Sequence, residues 1–187
     1  LGFLVVPAGP GPANVFLATV AASSSGVVAM RLSRCGTEVL LAIVTLTAIG
    51  TVAAGCALIW PLSLQSVGAI LAAAALAALS LTPRLSIALA GLTPTLDGDI
   101  HNGVSVEALA SRGHRTLAGL VAGCAATAAL GTLIVAAGGR DPATAAAIGF
   151  TAAVGVALFQ RSRSHVSGRC RTALTASGCC ALTAMFV

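Results

Sequence analysis

The chain has 187 residues, 57% of them hydrophobic and only 8% charged, with a formal net charge of +5. A soluble domain carries roughly 25% charged residues, because its helices need polar faces, so this composition excludes one and points to a polytopic membrane protein. All ten basic residues are Arg, and with five Phe, one Trp and no Tyr to interleave with them a nucleic-acid surface is excluded as well.

A transmembrane barrel would show short segments alternating between apolar and polar residues. The apolar runs here are continuous. The expected fold class is all-α, a polytopic transmembrane helix bundle with six full spans and the end of a preceding one. Leu1 to Val6 has the character of a helix in its last turns, and the Pro/Gly turn at 7–12 ends it. The full spans follow at about 14–30, 39–60, 66–82, 116–138 and 143–160, and from 172 to the end. At 1.5 Å rise per residue, such runs cross a hydrocarbon core of ~30 Å. Trp60-Pro61 closes the second span, with the indole suited to a membrane interface. Pro83 is expected to stop the third, and Pro142 occupies a first-turn position of the fifth. The chain opens without Met and ends inside an apolar run, so an internal segment of a larger protein is expected.

Three parts result: 1–82 with the end of one span and three helices, 83–115 as a linker, and 116–187 with three helices, the last truncated. In the linker, Leu85, Leu89 and Leu92 recur at helical spacing, which predicts an extension near the membrane surface. Residues 97–103 form a polar turn, and Glu107 to Arg115 leads into the fourth span.

The arginines set the orientation. Arg31 and Arg34, then Arg84, Arg112 and Arg115, then Arg161, Arg163, Arg169 and Arg171 occupy alternate gaps, and only Arg140, beside Asp141, falls on the other side. The positive-inside rule makes the loops 31–38, 83–115 and 161–171 cytoplasmic. Two triplets of spans of opposite orientation have the arithmetic of an inverted repeat, although no residue match joins them.

Little in the chain suggests chemistry. Asp97, Asp99 and His101 resemble the start of a calcium loop, but Asn102 and Ala108 stand where it needs Gly and Glu. Nothing positions Asp97, Asp99, His101 and His114 for a transition metal. The six cysteines, at 35, 56, 124, 170, 179 and 180, show no metal-ligand spacing and read as small apolar fillers. His114 and His165 sit beside arginines at helix ends, where an interfacial role is ordinary. Ser23, Ser24 and Ser25 have no acid or His in any span to act as base, and such hydroxyls normally bond back to their own helix. No catalytic, cofactor or metal site is expected. The positive signal is small residues four apart: Gly119 and Gly123, Ala22 and Gly26, and Gly50 and Ala54. Such pairs let helix backbones approach closely where lipid supplies no hydrophobic drive. Ion-coupled transporters need ionisable groups at membrane depth, and these spans offer none.

The string from Pro83 to Pro94, PRLSIALAGLTP, leads through an acidic linker to His114-Arg-Thr-Leu-Ala-Gly-Leu120. With the turn Leu4-Val-Val-Pro-Ala-Gly-Pro10 and the gap Phe159-Gln-Arg-Ser-Arg-Ser-His165, this resembles the EccD-type membrane subunit of type VII (ESX) secretion systems of mycobacteria and related actinobacteria. The resemblance implies a cytosolic ubiquitin-like domain ahead of eleven spans. It also implies two copies paired around a lipid-filled cavity, and contacts with a motor ATPase that powers export. It brings no catalytic residues. The expected function is a non-catalytic membrane scaffold or conduit, with Arg84, Arg112 and Arg115 as candidates for contact with cytoplasmic partners or lipid. A secondary transporter built on inverted three-helix repeats is the alternative. A lipid-modifying enzyme is the third class, with only Asp97, Asp99 and Glu107 available to it.

Overall fold

A computed structural model describes residues 11–32, 37–60, 62–89, 106–138, 144–164 and 167–186. The described residues are helical throughout: α1 Pro12–Leu32, α2 Thr37–Ile59, α3 Leu64–Leu89, α4 Val106–Gly138, α5 Thr144–Ser164 and α6 Gly168–Thr183, closed by a 3-10 turn at Ala184–Phe186. Among the described residues five helices are long and apolar enough to cross a membrane: Ala13–Leu32, Glu38–Ile59, Leu64–Leu85, Gly113–Gly138 and Ala145–Ser164. The sixth, α6, has 16 residues. The end of a preceding span, the turn at 7–10 and the polar turn at 97–103 lie outside the described residues.

Local signals place several helix ends. Pro12 opens α1, where its missing N–H costs nothing, and the Asn14 and Val15 amides donate to Gly11 O. Trp60 stands just past α2 and is exposed. The Ser63 hydroxyl accepts from the Ser66 amide at 3.2 Å, an N-cap arrangement at the start of α3.

One expectation fails. Pro83 does not stop the third helix, because α3 continues through it to Leu89. A proline inside a helix withdraws the N–H that would bond the carbonyl four residues earlier, here Leu79. That oxygen instead accepts from Thr82 Oγ1 at 2.8 Å and from Arg161 Nη2 of α5 at 3.4 Å. With replacement donors at hand, the helix tolerates the ring. The expected loop 161–171 is also largely helical: α5 runs to Ser164 and α6 begins at Gly168, with Cys170 buried.

Helix α4 is the hub. Of its membrane-crossing window 61% is buried, against 6% in α1. The core joins Ala72, Ala75 and Leu79 of α3 to Val121, Cys124, Ala125 and Ala128 of α4, Val154 and Leu158 of α5, and Cys170 and Leu174 of α6. Packing there is close because side chains are small. A Cβ on Gly68 would lie 2.8 Å from Gly131 O, and one on Gly131 would lie 2.7 Å from Gly68 O and Ala72 N. Hydroxyls inside the bundle bond back to their own helices, as Thr127 Oγ1 does to Gly123 O at 2.7 Å and Thr151 Oγ1 to Ala147 O at 3.0 Å.

Candidate functional site

Consecutive helices run antiparallel, so the end of α1, the start of α2, the end of α3, the start of α4, the end of α5 and the start of α6 meet at one end of the bundle. Every arginine among the described residues lies on one of these termini. At this end Glu38, in the first turn of α2, faces two guanidiniums. Arg169 Nη1 of α6 donates to both carboxylate oxygens, at 3.2 and 3.1 Å. Arg115 Nε of α4 stands 4.0 Å from Oε1. The arginine side chains are 78% and 69% exposed, the Glu38 side chain 29%. Exposed pairs contribute at most about 1 kcal/mol, so this cluster joins three helices without governing stability.

Around it opens a cavity of about 420 Å³, lined by Glu38, Ser111, His114, Arg115, Ala118, Ser167, Gly168 and Arg169. A furrow of about 200 Å³ adjoins it, bounded by Val39, Ala42, Gly119 and Ala122 and sharing Glu38, Ala118 and Arg169. A third hollow, about 400 Å³, lies between α3 and α5 beside Arg161, Gln160, Ser80 and Ser164.

The residues named from the sequence are distributed as follows. Arg84 is exposed on α3, one residue past Pro83. Arg112 lies in α4 ahead of Arg115. Gly119 and Gly123 face α2: a Cβ on Gly119 would lie 2.7 Å from Glu38 O, and one on Gly123 2.7 Å from Ala42 O. Gly26 meets Val44 Cγ2 at 2.7 Å from its would-be Cβ, while Ala22 is exposed. Glu38, Arg169 and Arg161 escaped the sequence reading as contacts: the two arginines counted only toward orientation, and Glu38 fell at the end of the expected loop 31–38. Ser23, Ser24 and Ser25 bond back to Val20, Ala21 and Ala22 carbonyls. Among the described residues no group of His, Cys, Asp and Glu could hold a metal ion. Asp97, Asp99 and His101 lie outside them.

This is a geometry that ties three helices together through Glu38 and two guanidiniums. Comparison with known proteins agrees on the family. The chain is 30% identical over 173 residues to the ESX-4 secretion system protein eccD4 of Mycobacterium tuberculosis, in strains H37Rv and CDC 1551, covering 87% of this chain and 37% of that protein. The chain therefore spans little more than a third of the length of the curated relatives it matches. Among solved structures, a chain of the MycP5-free ESX-5 inner membrane complex in State II superposes with a TM-score of 0.79 at 18% identity, over 96% of this chain and 43% of that one. Protomer 1 of the ESX-3 core complex gives a TM-score of 0.77 at 22% identity, over 98% and 45%. At those identities the superpositions speak for the fold alone. The EccD-like transmembrane domain model matches residues 1–187, and the chain belongs to that family.

Proposed function

We propose that this chain is a non-catalytic scaffold, the membrane-embedded part of a type VII secretion subunit that sits in the inner membrane within a larger complex. The observation that carries the reading is the chemistry of the bundle interior. Between the arginine-bearing termini, residues 39–83, 116–139 and 142–160 contain no acid, Arg, Lys or His. Such an interior suits packing and lipid contact, and it gives an ion-coupled transporter no group to protonate or to bind a cation. The secondary-transporter alternative therefore gains no support from the described spans.

In this reading the subunit pairs with a second copy and anchors a motor ATPase on the cytoplasmic side, where the arginine-bearing end lies. Energy for export comes from that partner. Arg84, Arg112 and Arg115 form the basic surface offered to it, and no nucleic acid is involved. Membrane preparations in which Arg84, Arg112 and Arg115 are replaced together by Glu test this. Affinity recovery of the ATPase with the full subunit is expected to fall several-fold, since like charges across an interface suppress association. Unchanged recovery leaves these arginines as topology signals only.

A further inference from the structure

We propose that the arginine-bearing end carries a site for one anionic phospholipid, its phosphate held by Arg115 and Arg169 and one acyl chain laid in the furrow between α2 and α4. The proposal rests on the reading that this end of the bundle lies at a membrane surface. It requires neither a secretion partner nor a particular side of the membrane.

Three observations converge. The first is charge. Among the described residues two guanidiniums face one carboxylate, an excess of one positive charge at the mouth of a cavity of about 420 Å³. A salt bridge accounts for Arg169, which meets Glu38 through Nη1. Arg115 is paired more loosely, its Nε standing 4.0 Å from Glu38 Oε1, an ion pair without a hydrogen bond. A guanidinium is a fork of five donors suited to phosphate oxygens. His114 and the hydroxyl-bearing Ser111 and Ser167 line the same cavity.

The second observation is continuity. The charged cavity and the apolar furrow share Glu38, Ala118 and Arg169. Below those residues the furrow is walled by Val39, Ala42, Gly119 and Ala122, with carbon side chains or none. The third is direction. Arg115, Ala118 and Ala122 succeed one another along one stripe of α4, leading from the charged terminus roughly 10 Å into the span at 1.5 Å per residue. A phosphate above and a hydrocarbon groove below, in line with the membrane normal, is the profile of a phospholipid. A free inorganic anion would use the cavity and leave the furrow without a role.

Native mass spectrometry of the full chain in mild detergent tests the site, with phosphatidylglycerol, phosphatidylcholine and inorganic phosphate as probes. One phosphatidylglycerol is expected to be retained per chain, with phosphatidylcholine retained far less. Arg115→Gln and Arg169→Gln should each weaken retention on the order of tenfold, the loss of one charge-assisted contact. Ala122→Leu fills the furrow, keeps both guanidiniums and should also weaken it. Glu38→Gln removes the competing carboxylate and should strengthen retention, an effect that damage to the fold would not produce. Equal retention of phosphatidylcholine, displacement of phosphatidylglycerol by inorganic phosphate, or a loss in Glu38→Gln would each overturn the proposal. Retention is read on the isolated chain. A failed ATPase recovery therefore leaves this site standing, and a failed retention leaves the scaffold reading standing.

Discussion

Glycine carries the closest contacts of the bundle, because lipid offers no hydrophobic drive and helices gain by bringing backbones together. Gly119, Gly123 and Gly131 fall on one row of α4 at steps of four with Thr127 between, yet they face different partners. The first two meet α2, the last meets α3. At 3.6 residues per turn, each step of four rotates about 40° around the axis, so Gly131 points roughly 120° away from Gly119. One row thus serves two neighbours. Gly131→Val would place carbon 2.7 Å from Ala72 N and Gly68 O, which are backbone atoms and cannot give way. Overpacking of this kind costs about 1–3 kcal/mol, and the thermal midpoint in detergent should fall accordingly. Thr127, two turns into the same row from Gly119, is buried but bonded only to its own helix. Thr127→Val keeps the shape and removes a hydroxyl whose acceptor is already in the helix ladder. That change should cost less than about 1 kcal/mol in the same measurement. Equal losses in the two variants would show that polar bonding, and not close approach, holds this seam.

Among the helices, α3 shows most clearly what a sequence discloses and what it does not. Its apolar run from 66 to 82 was plain, because any such run must be membrane or deep core. Its true length was not plain. Ending the helix at Pro83 assumes that the carbonyl of Leu79 would be stranded, yet Thr82 Oγ1, beside the ring, and Arg161 of α5, 82 residues away, both donate to it. The second of these donors leaves no local signal. The spacing of Gly119 and Gly123 is a local pattern on one helix, but which helix they face, α2, is not. The face each helix turns inward was also hidden: lipid and core are equally apolar here, so no polar stripe marks the outside, and nothing in the composition singled out α4 as the hub. The Pro83–Arg161 relation makes a coupled prediction. Pro83→Ala restores an N–H to Leu79 O. Arg161→Ala should then destabilise the Pro83→Ala background less than the parent, with a coupling of about 0.5–1 kcal/mol for so long a hydrogen bond. A double-mutant cycle on thermal or denaturant unfolding reads it directly. Identical losses in both backgrounds would mean that Arg161 acts on α3 by packing its stem alone.

For the molecule as a whole, charge asymmetry between the two ends is the property from which the rest follows. The described arginines share one end with Glu38, while the turn at Trp60 and Ser63 at the other end holds an exposed indole and hydroxyls without charge. An arginine that crossed the bilayer during insertion would meet a barrier of about 2.5–3.5 kcal/mol at the centre. Several together, retained on one side, therefore fix a single orientation instead of a mixture. Both ends offer exposed positions for labelling: Arg163 on α5 and Ser63 before α3. The cysteines among the described residues are free, so the native cysteines are first replaced to remove background. With Arg163→Cys, a thiol reagent that cannot cross membranes should label only after the cells are permeabilised. With Ser63→Cys, it should label intact cells to the same extent before and after. The reverse pattern would put the arginines outside and with them the surface proposed to meet the ATPase. The lipid site would survive that outcome, because Arg115 and Arg169 would then face the other leaflet with the furrow still leading inward.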